Sequence, residues 1–215
     1  MSSTRVGLFI AAAVILLLAG IFGPRLWKPA TTALTGGRTH QEVMDAITPR
    51  ASERMQLAFE NAGAPFPPKE ITLLASKRER RLELWTTAAG THTPRHIHTW
   101  PLTATSGREG PKLREGDRQI PEGFYRITAF NPNSSYHLSL KLNYPNSFDQ
   151  AYADAENRKE PGSNIFIHGK AVSIGCLAIG DPAIEELYYL IDKTGLKQAR
   201  VIIAPHDPRE FELIA

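Results

Sequence analysis

Residues 164–180, NIFIHGKAVSIGCLAIG, hold the single cysteine of the chain, Cys176, eight positions after the pair His168-Gly169. Ile165-Phe166-Ile167 is a β-branched and aromatic run that reads as a short strand delivering His168. In Ser173-Ile174-Gly175-Cys176 a glycine just before the cysteine lets the backbone turn tightly. A thiol attacks well only as the thiolate, and an ordinary cysteine, with a pKa of about 8.5, needs an activating neighbour. A histidine held by a strand, with a cysteine on the turn after it, is such a pair. Backbone N–H groups of Gly175 and Cys176 pointing outward would make an oxyanion hole, each donor worth about 3 kcal/mol in acyl transfer. The same residues also fit a small buried cysteine beside an unrelated histidine, and the pair alone does not separate the two readings.

The start of the chain bears on that choice. Residues 6–22, VGLFIAAAVILLLAGIF, are an unbroken apolar run after a short N-terminus carrying Arg5. The run sits near the lower edge of the ~20 residues that span a bilayer. No clean small-residue cleavage site succeeds it, so it reads as a transmembrane signal anchor with residues 1–5 cytoplasmic, a cleaved signal peptide being the alternative. Arg25 and Lys28 on the far flank blur the positive-inside signal. Either reading exports the remainder of the chain, and an exported domain that uses cysteine for stability needs it in pairs. A lone exported cysteine therefore points to a task.

Over 215 residues the formal net charge is +3, with Lys and Arg scattered, which argues against a nucleic-acid surface. There is no glycine-rich nucleotide-phosphate motif. Residues 23–68 read as a tether with a short helical region. Thr48 is placed to cap a helix that Pro49 opens and Gly63 ends, with Met55, Ala58, Phe59 and Ala62 on one face. Pro65, Pro67 and Pro68 mark the expected boundary. From there to residue 215 short strand-like runs predominate: Ile71–Ala75, Arg81–Trp85, His96–Thr103, Phe124–Phe130, His137–Leu142, Asn164–His168 and Val201–Ala204. One strong helix, Asp181–Thr194, has Asp181 as its expected cap and Gly195 as its stop. The expected fold of residues 69–215 is thus mainly β, with one or two packed helices.

The Ile-His-Gly and Ser-x-Gly-Cys pattern resembles the active-site signature of the L,D-transpeptidase (YkuD) catalytic domain family, most closely its YafK-like branch. Gly116-Asp117 with Pro121-Glu122-Gly123, preceded by Gly110-Pro111-Lys112, is similar to the family's GD-x-x-TPEG segment, Ile120 replacing the threonine. Asn143-Tyr144-Pro145-Asn146 with Asp149 resembles the NYPN-x-x-D segment of that branch. The resemblance covers roughly residues 70–205 and implies a mixed-sheet, β-sandwich-like catalytic domain. It implies Cys176 as acyl nucleophile, His168 as general base and acid, and the amides of Ile174, Gly175 and Cys176 as oxyanion hole, with Gly169 and Ser173 as support. Asp117, Glu122, Gly123, Asn143, Tyr144 and Asn146 would belong to the cleft wall. The main branch has a second histidine where Ile174 stands and an arginine where Ala178 stands, so its substrate-gripping residues do not carry over.

The implied activity is acyl transfer on peptidoglycan stem peptides through a cysteine thioester, on the periplasmic side of a bacterial inner membrane and without a cofactor. An amine acceptor would give a cross-link or attachment of a wall protein. Water would make the same site a carboxypeptidase, an endopeptidase or a releaser of attached protein. A non-catalytic wall-binding module is the alternative of another class, motivated by Ile174 and Ala178 and opposed by the retention of both Cys176 and His168. His92, His96 and His98 raise a metal reading, but no carboxylate or cysteine lies close in sequence to complete a set, and no metal is expected. Lys77, Arg78, Arg80 and Arg81 read as a solvated basic turn.

Overall fold

A computed structural model describes residues 36–87 and 93–210. The apolar run 6–22, residues 23–35 of the expected tether and His92 lie outside the described residues. Among the described residues no helix is long and apolar enough to cross a membrane.

The first element is one helix, α1 (His40–Asn61), which contains Pro49. Thr48 does not cap it. The cap is Thr39, whose side chain accepts from the Glu42 amide while the Glu42 carboxylate accepts from the Thr39 amide, a reciprocal capping box. Pro49 removes one internal hydrogen bond, and the flanking turns tolerate that because the helix is buried along one stripe. That stripe, Val43, Ile47, Ala51, Met55 and Phe59, repeats every fourth residue.

Eight strands come next, in one continuous mixed sheet of order β3-β2-β1-β8-β4-β5-β6-β7. They are β1 (Ile71–Ser76), β2 (Arg81–Thr87), β3 (Pro94–Pro101), β4 (Gly123–Asn131), β5 (Ser139–Leu142), β6 (Phe166–His168), β7 (Leu177–Ala178) and β8 (Ala199–Ala204). β4 divides its length between two neighbours: Gly123–Arg126 pair with β8, and Ile127–Asn131 pair with β5. An irregularity in register between Ile127 and Ala129 bends the sheet there. The pairs β1/β8 and β6/β7 are parallel and the rest antiparallel.

A second helix, α2 (Ser147–Ala155), stands where only loop was expected, and α3 (Asp181–Thr194) is the strong helix of the sequence. Gly180, not Asp181, is the N-cap of α3, because the Asp181 carboxylate is turned back to accept from the Lys170 amide at 2.7 Å. α3 buries Ile184, Leu187, Tyr188 and Ile191 against α1, β5 and β6.

α1, which precedes the boundary expected at Pro65–Pro68, falls in the same compact unit as the sheet, a unit that runs from Thr39 to Ala215. α1 lies inside it because its stripe shares one core with the sheet and α3. Buried Glu186 of α3 fastens this layer, accepting from Arg54 of α1 at 3.0 Å and from the Trp100 indole of β3 at 2.7 Å. Phe59→Ala is expected to lower the unfolding free energy by about 3–5 kcal/mol, read from a urea titration. A tether position would move it by less than about 0.5 kcal/mol.

The basic run after β1 is a turn in which Arg78 and Arg80 are exposed, as expected, but Lys77 and Arg81 are not. Lys77 is nearly buried and donates to the carbonyls of Gly110 and Ile120 and to the Glu122 carboxylate. Arg81 pairs with Glu83 and Asp207.

Candidate active site

β6 is short and antiparallel to β5, with His168 opposite Ser139. Residues 169–176 then loop back and the chain enters β7 parallel to β6, with Ile167 beside Leu177 and His168 beside Ala178. That register sets Cys176 beside Phe166. Side chains alternate along a strand, so Phe166, His168 and Cys176 share one face while Ile167 and Leu177 point into the core. The eight-residue separation thereby turns into spatial adjacency, and Cys176 and His168 line one cavity of about 510 Å³.

His168 is buried, and its Nδ1 lies 2.6 Å from the Gly169 carbonyl. A carbonyl only accepts, so Nδ1 carries the proton and Nε2 keeps its lone pair. The Tyr136 ring packs on the imidazole, with centroids 4.5 Å apart. Burial lowers the pKa of His168, the hydrogen bond to Gly169 partly opposing. Gly169 is fixed by space: a Cβ there would lie 2.5 Å from Asp181 Oδ1 and 2.8 Å from the Tyr136 carbonyl.

Cys176 is half-buried, and its Sγ donates to the Asn164 carbonyl at 3.8 Å. Burial raises the thiol pKa, while the Phe166 amide and the Lys112 ammonium pull it down. The resting pair is therefore a neutral thiol and a neutral imidazole in one cavity.

Ser173 Oγ organises the turn. It accepts from the amides of Gly175 and Cys176, both at 3.2 Å, donates to the Cys176 carbonyl at 2.8 Å, and lies 3.1 Å from Ser106 Oγ. Two of the three amides assigned to an oxyanion hole thus face Ser173 at rest, through long bonds that a stronger acceptor can share. Ile174 is exposed and lines the cavity beside them. Gly175 has φ +121°, and a Cβ on it would lie 3.0 Å from the Gln119 carbonyl. Gly175→Ala is expected to cost about 1–3 kcal/mol in a urea titration and to lower turnover by displacing the turn from residues 118–119.

None of the six expected cleft-wall residues lines this cavity. Asp117 accepts from Lys112 Nζ and from the amides of Leu113, Arg114 and Gln119. Burial pushes its pKa up, but those donors outweigh it and bring the carboxyl to about 2. Glu122 pairs with Lys77, and Gly123 begins β4. Asn143 accepts from the Arg126 amide at 2.7 Å, and buried Tyr144 donates to the Pro161 carbonyl at 2.7 Å. Asn146 caps α2 in a capping box with Asp149 and donates to the Phe124 carbonyl. These residues tie together the loops and strands around the cavity, and Asp117 lines a neighbouring basin instead. The cavity is instead lined by Lys112, Arg118, Tyr136, Asn164 and Phe166. Lys112 stands in the Gly110-Pro111-Lys112 pattern, whereas a lone Tyr136 carries no pattern that would have singled it out.

His96 lies 2.8 Å from Thr99 Oγ1, and the His98 ring packs edge-on against Trp100. Among the described residues no three His, Cys, Asp or Glu side chains are grouped to hold a metal ion.

The sequence profile of the L,D-transpeptidase catalytic domain (YkuD) matches residues 70–203. The chain is 32% identical over 117 residues to an Escherichia coli (strain K12) protein carried under the provisional name L,D-transpeptidase YafK. That alignment covers 54% of this chain and 44% of the relative, so the chain spans about half the length of the protein it matches. The crystal structure of the helical cell shape determining protein Pgp2 from Campylobacter jejuni superposes with a TM-score of 0.52 at 20% identity, covering 71% of this chain and 56% of that one. At that identity the likeness is one of fold.

Proposed function

Because this chain belongs to the L,D-transpeptidase catalytic domain (YkuD) family, we propose that it is a cysteine acyltransferase acting on peptidoglycan stem peptides in the cell envelope, with Cys176 as nucleophile and His168 as its base. The observation that carries the reading is the shared cavity, with Cys176 beside the Nε2-basic tautomer that the Gly169 carbonyl imposes on His168. Nε2 takes the thiol proton as Sγ bonds to a peptide carbonyl carbon. The oxyanion draws on the Ile174, Gly175 and Cys176 amides, and Ser173 Oγ yields its share of the last two. The carbon–nitrogen bond breaks as His168 returns the proton to the leaving amine, and a thioester remains on Cys176. An acceptor amine or water then gives its proton to Nε2, attacks the thioester and releases the thiol. An amine leaves a cross-link or an attached wall protein, and water leaves a shortened or released peptide. Residues 6–22 would anchor the enzyme to the membrane.

The test is incubation of the full chain with purified peptidoglycan, then mass spectrometry of the products and of the protein. New cross-links identify a transferase, and shortened stems or released linked peptide a hydrolase. A thioester adduct on Cys176 is expected in both. Wall binding that is equal in wild type and in Cys176→Ala, with no product from either, would refute the enzyme and leave a binding module.

A further inference from the structure

The thiol cavity shares Arg118 with a larger open basin of about 1180 Å³. Arg108, Arg114, Arg118, Arg158 and Lys159 line that basin against two acids, Asp117 and Glu160. The Asp117 carboxylate is already taken up by Lys112 and by three backbone amides. Arg158 is held by Glu156 and by the Leu113 carbonyl. Among the described residues no carboxylate is bonded to Arg108, Arg114, Arg118 or Lys159. Their charge is available to a ligand.

Arg118 is set apart within this group. Its φ of +59° is left-handed, a conformation that an L-residue keeps only where its surroundings over-determine it. The Arg118 carbonyl accepts from Ser106 Oγ at 2.8 Å, and the same hydroxyl lies 3.1 Å from Ser173 Oγ, which holds the turn of Cys176. The next residue, Gln119, presses its carbonyl against Gly175. The backbone of Arg118 is thus seated on the turn that carries the thiol, and its exposed side chain borders both cavities.

We propose that Arg118 is an anion-binding residue of the thiol cavity: it takes a carboxylate of the peptide whose acyl group passes to Cys176, and Arg108, Arg114 and Lys159 extend that grip into the basin. The preferred ligand is a peptide with a free carboxylate close to the bond that is broken. The identity of the ligand rests on the acyl-transfer reading, whereas the anion site does not.

The test compares alkylation of Cys176 by iodoacetate, an anion, with alkylation by neutral iodoacetamide, in the full chain at low salt. The rate ratio of the two reagents cancels changes in thiol pKa or access. Arg118→Gln is expected to lower the ratio about three- to tenfold, Arg118→Lys to keep it, and added salt to lower it in wild type. A ratio unchanged in Arg118→Gln overturns the inference whether or not any peptide is a substrate. For a stem tetrapeptide, Arg118→Gln is expected to raise KM about tenfold more than it lowers kcat, and the difference should vanish when the peptide carboxylates are amidated. Acylation with an unaltered KM in Arg118→Gln overturns the inference and leaves the acyl-transfer reading standing. If neither peptide acylates Cys176, the acyl-transfer reading falls and the reagent ratio alone decides the anion site.

Discussion

Cys176→Ser and Cys176→Ala are each expected to lower turnover by more than about 10³-fold, while the unfolding free energy from a urea titration stays within about 0.5 kcal/mol of wild type. Cys176 is half-buried in the cavity; its thiol donates one long hydrogen bond, to the Asn164 carbonyl, and takes one from the Phe166 amide, and no core side chain is bonded to it. A serine hydroxyl keeps the shape and that bond. It is far less acidic than a thiol, and an imidazole whose pKa burial has lowered is a poor base for it. Intact mass after incubation with a stem peptide should show an acyl adduct on wild type that both variants lack. An adduct of equal yield on Cys176→Ala would place the nucleophile elsewhere and end the assignment.

The Cys176/His168 pair that shares the cavity is legible because the signal is local: strand, histidine, glycine, turn, cysteine, all within residues 164–180. α3 is legible from its apolar spacing and from Gly195, although its cap is not, since Asp181 serves the loop at Lys170 instead. Two capping boxes are also present in the sequence behind more conspicuous patterns. Thr39 with Glu42 opens α1, and the Thr48-Pro49 pair conceals that start. Asn146 with Asp149 opens α2, although the segment reads as a cleft loop. The fate of the lysines has no local signal at all. Lys77 looks like a surface charge and Lys112 like one member of a loop pattern, and only the fold brings Lys77 to Gly110, Ile120 and Glu122, or Lys112 to Asp117 and the thiol cavity. The six supposed cleft residues suffer from the same non-locality. Several of their partners come from distant parts of the chain, and no spacing in the sequence says which cavity, if any, a residue will line.

His168→Ala is expected to lower turnover about 10²–10⁴-fold and yet to leave the pH midpoint of Cys176 alkylation by iodoacetamide almost unmoved. From the sequence alone, removal of the histidine would be expected to raise the thiol pKa, as it does for a preformed thiolate–imidazolium pair. The structure argues otherwise. The thiol is pushed up by burial and pulled down by the Phe166 amide and Lys112, and a neutral imidazole adds no charge to that balance. Burial holds the imidazole below the ordinary 6.5. At neutral pH it is therefore already the free base, and the proton moves only as Sγ attacks. This gives the pH dependence its sign. Wild-type turnover should fall as pH drops through the lowered imidazole pKa, placing the acid limb below 6.5, and that limb should vanish in His168→Ala. Alkylation should instead keep rising past the pH at which an ordinary thiol titrates, in both proteins, because burial raises the thiol pKa. Added free imidazole should restore part of the turnover of His168→Ala if its shortened side chain admits the base to the cavity. A marked rise in the alkylation midpoint of His168→Ala would mean that an ion pair exists before substrate arrives, and the general-base account of this site would have to be abandoned.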